Sequence, residues 1–219
     1  PPFDFHTPLL SLPFALGTTI ETIPASTPYL FADADTSARW RARVAQATPS
    51  QTLKVGLVWA GGHRPHVPEL RKNDARRSLS FDRFAPIVET PGVQFFSLQK
   101  GEKAVQQLGE RRAHHAASAN VIDWTGELND FADTAALVEN LDLVISVDTS
   151  TAHLAGAMNK PVWILNRLDT CWRWMLERED TPWYPSARLF RQPTLGDWDS
   201  VIDSVVRELK SRAAAPISP

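Results

Sequence analysis

Cysteine is almost absent from this chain: Cys171 stands alone among 219 residues. One thiol builds neither a disulfide framework nor a thiolate metal cage, and such sparing use points to a reducing compartment. Long apolar runs are missing as well. No stretch approaches the ~18 residues that a membrane-spanning helix needs. The N-terminus lacks the basic, then apolar, then small-residue order of a secretory signal. The expected location is cytoplasmic. Charge of one sign is not in excess either, with 23 Lys and Arg against 25 Asp and Glu and a formal net charge of −2. A broad nucleic-acid-binding surface is therefore not expected, and any anion site must be local, built from a few placed groups.

Several motifs are missing too. No G-x-G-x-x-G follows the first apolar run, where "GLVWAGG" has the wrong spacing. A Walker A loop and a G-x-S-x-G elbow are both absent, which disfavours nicotinamide, P-loop and serine-hydrolase chemistry. His63, His66, His114 and His115 have no carboxylate or cysteine at ligand spacing, so no metal is expected. Asp33 and Asp35 have the form of a D-x-D pair that holds a metal against a nucleotide diphosphate. They lie in a proline-rich linker and not at a strand end, and are read as non-ligating.

What is present is enough apolar sequence for a real core, 43% of residues. Residues 1 to 35 are irregular, since prolines at 8, 13, 24 and 28 exclude a long helix or a central strand. Leu9, Leu10, Leu12, Phe14, Leu16 and Ile20 imply that this segment packs against something. The chain opens on "PPFDFHTPLL", without a methionine, and reads as a piece cut from a longer protein.

From there the pattern becomes regular. Helices are predicted over 36–47, 80–90 (Ser80 as N-cap), 102–115, 129–140, 149–159, 170–180 and 197–214. Strands are predicted over 53–61, 93–100, 120–126, 141–148, 160–166 and 186–192. Residues 61 to 80 read as a long loop. Alternating strands and helices imply right-handed crossovers and a parallel sheet covered on both faces. The expected fold is α/β: a Rossmann-like doubly wound sheet of about six strands, ordered 3-2-1-4-5-6. Ligands of such sheets bind beyond the carboxyl ends of strands 1 and 4. Those ends here are "WAGGH" and "SVDTSTAH".

At the second of these, the helix after Asp148 opens with free N–H groups and the positive end of a dipole. Thr149, Ser150 and Thr151 add hydroxyls, and His153 shares a helix face with Thr149. A diphosphate fits such a helix start. On spacing alone, capping by Asp148 or Thr149 with an ordinary His153 is an equal alternative. The loop after strand 1 carries Arg64, Arg71, Lys72, Arg76 and Arg77. Arg76 and Arg77, nearest the next helix, are the candidates for a bidentate phosphate clamp, against the alternative of a solvated basic loop. Trp172, Trp174, Trp183, Trp198 and Tyr184 crowd the C-terminal third, either as a sugar or base platform or as anchors for the last helices.

The ordered set from Asp123 to Leu165, "DWTGELNDFADTAALVENLDLVISVDTSTAHLAGAMNKPVWIL", resembles the heptosyltransferase-like family 9 glycosyltransferases. "VGLVWAG", "FFSLQKG" and "DTPWYPSARLFRQPTLGDW" resemble the branch found at the C-terminus of bacterial tetratricopeptide-repeat proteins. The resemblance implies the second domain of a GT-B fold: the donor-binding half of an inverting, metal-independent glycosyltransferase. Its substrate would be a nucleoside-diphosphate sugar, its acceptor a glycan or protein, and no cofactor would be needed.

By the same resemblance Asp148 contacts sugar hydroxyls, and Thr149, Ser150 and Thr151 offer N–H groups to the diphosphate. His153 supports them, Arg76 or Arg77 supplies a phosphate contact, and Gln99, Lys100 and Glu102 lie near the ribose. Ser150 stands where the family usually has glycine. A complete first domain needs roughly 100 residues or more, yet the first strand here starts at Leu53. Residues 1–50 are therefore expected to be the tail of that domain plus a linker, and 51–219 the nucleotide-sugar-binding domain. No catalytic base is assigned, because in this family it usually comes from the first domain. The alternative is a non-catalytic Rossmann-like module that binds protein or glycan within a larger repeat protein.

Overall fold

The computed structural model describes residues 2–62, 67–114 and 120–215. Its six strands are β1 (Leu53–Val58), β2 (Val93–Ser97), β3 (Val121–Asp123), β4 (Leu143–Val147), β5 (Val162–Asn166) and β6 (Ala187–Arg191). All neighbours pair in parallel, in the order β3-β2-β1-β4-β5-β6. The helices are α1 (Leu12–Ala15), α2 (Ala34–Ala47), α3 (Pro68–Arg77), α4 (Phe81–Val88), α5 (Glu102–His114), α6 (Phe131–Glu139), α7 (Ser150–Ala157) and α8 (Trp198–Ala214).

The continuous apolar strands are explained by burial on both faces, and every residue of β4 and β5 is buried. Successive side chains alternate between two cores. Leu57, Phe95, Ile145 and Leu165 face α4, α5 and α8. Val58, Phe96, Val144 and Ile164 face α2, α6 and α7. Trp59 follows β1 directly, with its ring edge-on to Phe81, centroids 4.8 Å apart. Asp33, Asp130 and Asp197 cap α2, α6 and α8, whereas Ser80 starts α4 without a side-chain cap bond. Asp130 accepts from the N–H groups of Ala132 and Asp133, and Asp33 accepts from Thr36 at 2.9 Å. The first aspartate of the D-x-D pair is thus a helix cap.

Two expectations need correction. The predicted loop 61–80 contains α3, which Pro68 opens at a first-turn position where its missing N–H costs nothing. The predicted helix 170–180 is only a 3-10 turn at Trp172–Trp174. Met175 and Glu177 take positive φ (51° and 56°), and the Arg191 guanidinium satisfies the carbonyls of Trp174 and Arg178 instead. The apolar side chains near the N-terminus do not pack within the chain: Phe3, Phe5, Leu9, Leu10, Phe14 and Leu16 are exposed. Docking begins further on. Thr27 Oγ1 donates to Asn159, and the N–H groups of Tyr29 and Leu30 donate to the Ala157 carbonyl at 2.9 and 3.3 Å.

Candidate functional site

β1 has β2 on one side and β4 on the other, and Val58 lies beside Ser146. The chain leaves β1 and β4 for different places, so a cleft opens between their carboxyl ends. Its floor is held by Gln99, at the end of β2. Gln99 Oε1 accepts from the N–H groups of Trp59 (2.9 Å) and Ala60 (2.8 Å). Its Nε2 donates to the carbonyls of Ala60 (3.0 Å) and Lys100 (2.7 Å). Both acceptor positions and both protons of the carboxamide are used within the chain.

On the β4 side, Asp148 leads into α7. Thr149 occupies the N-cap position, but its hydroxyl bonds Ser146 Oγ (2.9 Å) and caps nothing. Its carbonyl accepts from Ala152 and His153. The first N–H groups of α7 have no carbonyl of their own helix within reach. Ser150 is exposed, while Thr151 is buried.

Arg77 joins the two sides. Its Nη1 donates to the Asp148 carbonyl at 2.8 Å, and its Nη2 pairs with the buried Asp74. The guanidinium lies flat against Gly61, where a Cβ would come within 2.7 Å of it. The Gly61 N–H in turn donates to Ser78 Oγ at 3.0 Å. Arg76 points elsewhere, to Asp169, and Asp169 also faces Arg167 at 3.6 Å. Of the other loop cations, Arg64 lies outside the described residues and Lys72 is exposed.

Lys100 borders three cavities, two of which also touch the turn after β1. One of those two, of about 410 Å³, is lined by Ala60, Gly62, Gln99, Lys100 and Thr149 to Thr151. The other, of about 540 Å³, is lined by Gly61, Asp74, Ser78, Lys100 and Glu102. The Lys100 ammonium rests on the Thr125 carbonyl. The structure therefore gathers Gln99, Lys100 and Thr149 to Thr151 around one switch-point cleft, and places Glu102 on the neighbouring cavity. Arg77 acts there through the backbone of Asp148, and Arg76 does not reach it. His63, His66 and His115 lie outside the described residues. Among the described residues no group of three or more His, Cys, Asp or Glu side chains gathers to hold a metal ion.

His153 sits one turn into α7, with Nε2 3.9 Å from Asp148 Oδ1. Its Nδ1 is 3.0 Å from Tyr184 Oη. Its ring stacks on the buried Trp174 at 5.0 Å and 19°. Burial, reinforced by Arg173 and opposed by Asp148, holds its pKa below 6.5. Tyr184 and Trp174, which sequence reasoning left among the platform or anchor aromatics, are the side chains that hold His153. The only local trace of their role was Gly156, one of the small residues along α7.

The class defined by this geometry is a doubly wound α/β domain whose ligand cleft opens on a helix start. Known proteins narrow it. Residues 80–169 match the model of glycosyltransferase family 9 (heptosyltransferase). That range includes Gln99 to Glu102 and Asp148 to His153, but begins after Arg77. The E. coli ADP-heptose LPS heptosyltransferase II has a similar fold, with a TM-score of 0.57 at 15% identity over 90% of this chain and 58% of its own. The family 9 glycosyl transferase of Veillonella parvula DSM 2008 gives 0.57 at 13% identity, over 93% and 58%. Protein FlbA of Caulobacter vibrioides is 31% identical over 215 residues, 97% of this chain and 34% of FlbA. The chain thus spans about a third of that relative and less than two thirds of either solved structure. Among the described residues no helix is long and apolar enough to cross a membrane.

Proposed function

We propose that this chain is the donor-binding half of a glycosyltransferase that uses a nucleoside-diphosphate sugar, with inverting, metal-independent transfer. The observation that carries this reading is the start of α7, open to a cleft of about 410 Å³ at the β1/β4 switch point. In transfer, negative charge grows on the leaving diphosphate. The N–H groups of Ser150 and Thr151, the helix dipole and Lys100 offset that charge in place of a metal. Asp148, mostly buried beside them, accepts hydrogen bonds from sugar hydroxyls. Glu102 and Lys100 face the nucleoside side, while Gln99 shapes the floor. Arg77 holds the Asp148 backbone so that these groups converge. The acceptor, glycan or protein, and the catalytic base belong to a longer protein. The 34% coverage of FlbA supports a longer protein, and the resemblance of "VGLVWAG", "FFSLQKG" and "DTPWYPSARLFRQPTLGDW" to the repeat-protein branch supports one with tetratricopeptide repeats.

Calorimetry with UDP, GDP and ADP tests the reading, and no binding of any of them at millimolar concentration would sink it. Asp148→Ala is expected to weaken the nucleotide sugar about tenfold or more, the scale of a lost hydrogen bond to a charged group. The bare nucleoside diphosphate should suffer less, because it lacks the sugar that Asp148 contacts. A full-length protein that binds nucleotide but transfers no sugar would favour a non-catalytic module.

A further inference from the structure

His153 presents its two ring nitrogens to different partners, Nδ1 to Tyr184 Oη at 3.0 Å and Nε2 towards Asp148 Oδ1 at 3.9 Å. The titratable and charged groups around the ring are Asp148, Arg173 and Tyr184. Burial and Arg173 disfavour the imidazolium more than Asp148 favours it, so near neutral pH the ring carries one proton. At 3.9 Å Asp148 Oδ1 is beyond direct hydrogen-bond reach, but its negative charge favours the proton on the nitrogen that faces it, Nε2. Nδ1 is then a bare acceptor and Tyr184 must be the donor. Tyr184 keeps its proton, because burial and the neighbouring Tyr29 hydroxyl both push its pKa up.

The placement of the Tyr184 ring is also built. It lies on Gly156 so closely that a Cβ there would meet Cγ at 2.4 Å. It meets the His153 ring at 65°, centroids 5.7 Å apart. Trp174 stacks on one face of the imidazole. The ring of His153 is thus held on one face and at one edge, and its tautomer is set between the charge of Asp148 and the hydroxyl of Tyr184.

We propose that Tyr184 is a positioning residue: its hydroxyl donates to Nδ1 and fixes His153 as the Nε2–H tautomer, turned towards Asp148 and the cleft. The use of that N–H in holding donor rests on the function proposed above, but the tautomer itself does not. Histidine tautomers are read directly from long-range proton–nitrogen correlations on the 15N-labelled, unliganded chain near pH 7.5. The His153 signals are those lost in His153→Gln. The expected result is a protonated Nε2 and an unprotonated Nδ1. Tyr184→Phe keeps the ring on Gly156 and removes the donor. It should give mixed tautomers and raise the nucleotide Kd about three- to tenfold, the scale of one hydrogen bond.

A proton on Nδ1 in the unsubstituted chain overturns the proposal, and so does a tautomer unchanged in Tyr184→Phe. The first of these readings holds even where the variant fails to fold. An Nε2–H tautomer that Tyr184→Phe releases, in a chain that binds no nucleotide, removes the donor reading and leaves the positioning role standing.

Discussion

A methyl group at position 156 would stand 2.4 Å from Cγ of Tyr184 and 2.7 Å from Cδ1. An alanine there gains about 1 kcal/mol of helix propensity but forces a ring backed by Trp174 to move. Overpacking of that kind costs about 1–3 kcal/mol. Gly156→Ala is therefore expected to be net destabilising in thermal unfolding and to release the His153 tautomer as Tyr184→Phe does. The same histidine makes stability depend on pH. Its folded pKa lies below 6.5, so between the two pKa values the unfolded chain binds a proton that the folded chain refuses. Its contribution is full above pH 6.5 and is lost as pH falls through and below that value. Urea midpoints between pH 5 and 8 should show the advantage of wild type over His153→Gln shrinking on the acid side. A difference independent of pH would contradict this.

At the scale of elements, the end of β1 depends on one side chain from β2. Gln99 satisfies the N–H groups of Trp59 and Ala60 together. Gln99→Leu would leave both without their partner and is expected to cost about 2–6 kcal/mol in urea unfolding, since each orphaned buried donor costs about 1–3. By family resemblance Gln99 lay near the ribose. The geometry adds a stability role, and the spacing "FFSLQKG" carried no sign of it. A bond between residues 40 apart in sequence leaves no periodic trace. The turn after β5 makes the same point from the other direction. "TCWRWMLERED" has good helix formers, yet Arg191 takes the carbonyls of Trp174 and Arg178. That tertiary contact overrides local propensity. α3 was missed for a local reason: its residues are mostly charged, so no apolar stripe announced it.

For the whole molecule, residues 2–22 bury no side chain. Their removal is expected to change unfolding free energy by no more than about 0.5 kcal/mol, the range of surface changes. A larger loss would show that the segment holds the domain together. The segment from Thr27 onwards behaves differently, because it docks on the end of α7 and continues into α2, whose Trp40 and Val44 enter the core.

The sequence by itself determined the sheet. Continuous Val, Ile and Phe runs alternating with helical patterns leave few topologies once crossovers must be right-handed, and 3-2-1-4-5-6 follows. It also determined where to look, since the carboxyl ends of strands 1 and 4 had to face the cleft and Asp148 to His153 had to lie there. Only the tertiary structure decided what each group does. Arg77 turned inwards to Asp148, Arg76 turned away to Asp169, and Tyr184 arrived from 31 residues downstream to meet His153. Strand and helix periodicity is a property of neighbouring residues and is written along the chain. The pairing of a hydroxyl with one ring nitrogen depends on where two distant segments are brought together, and exists only once the core has packed.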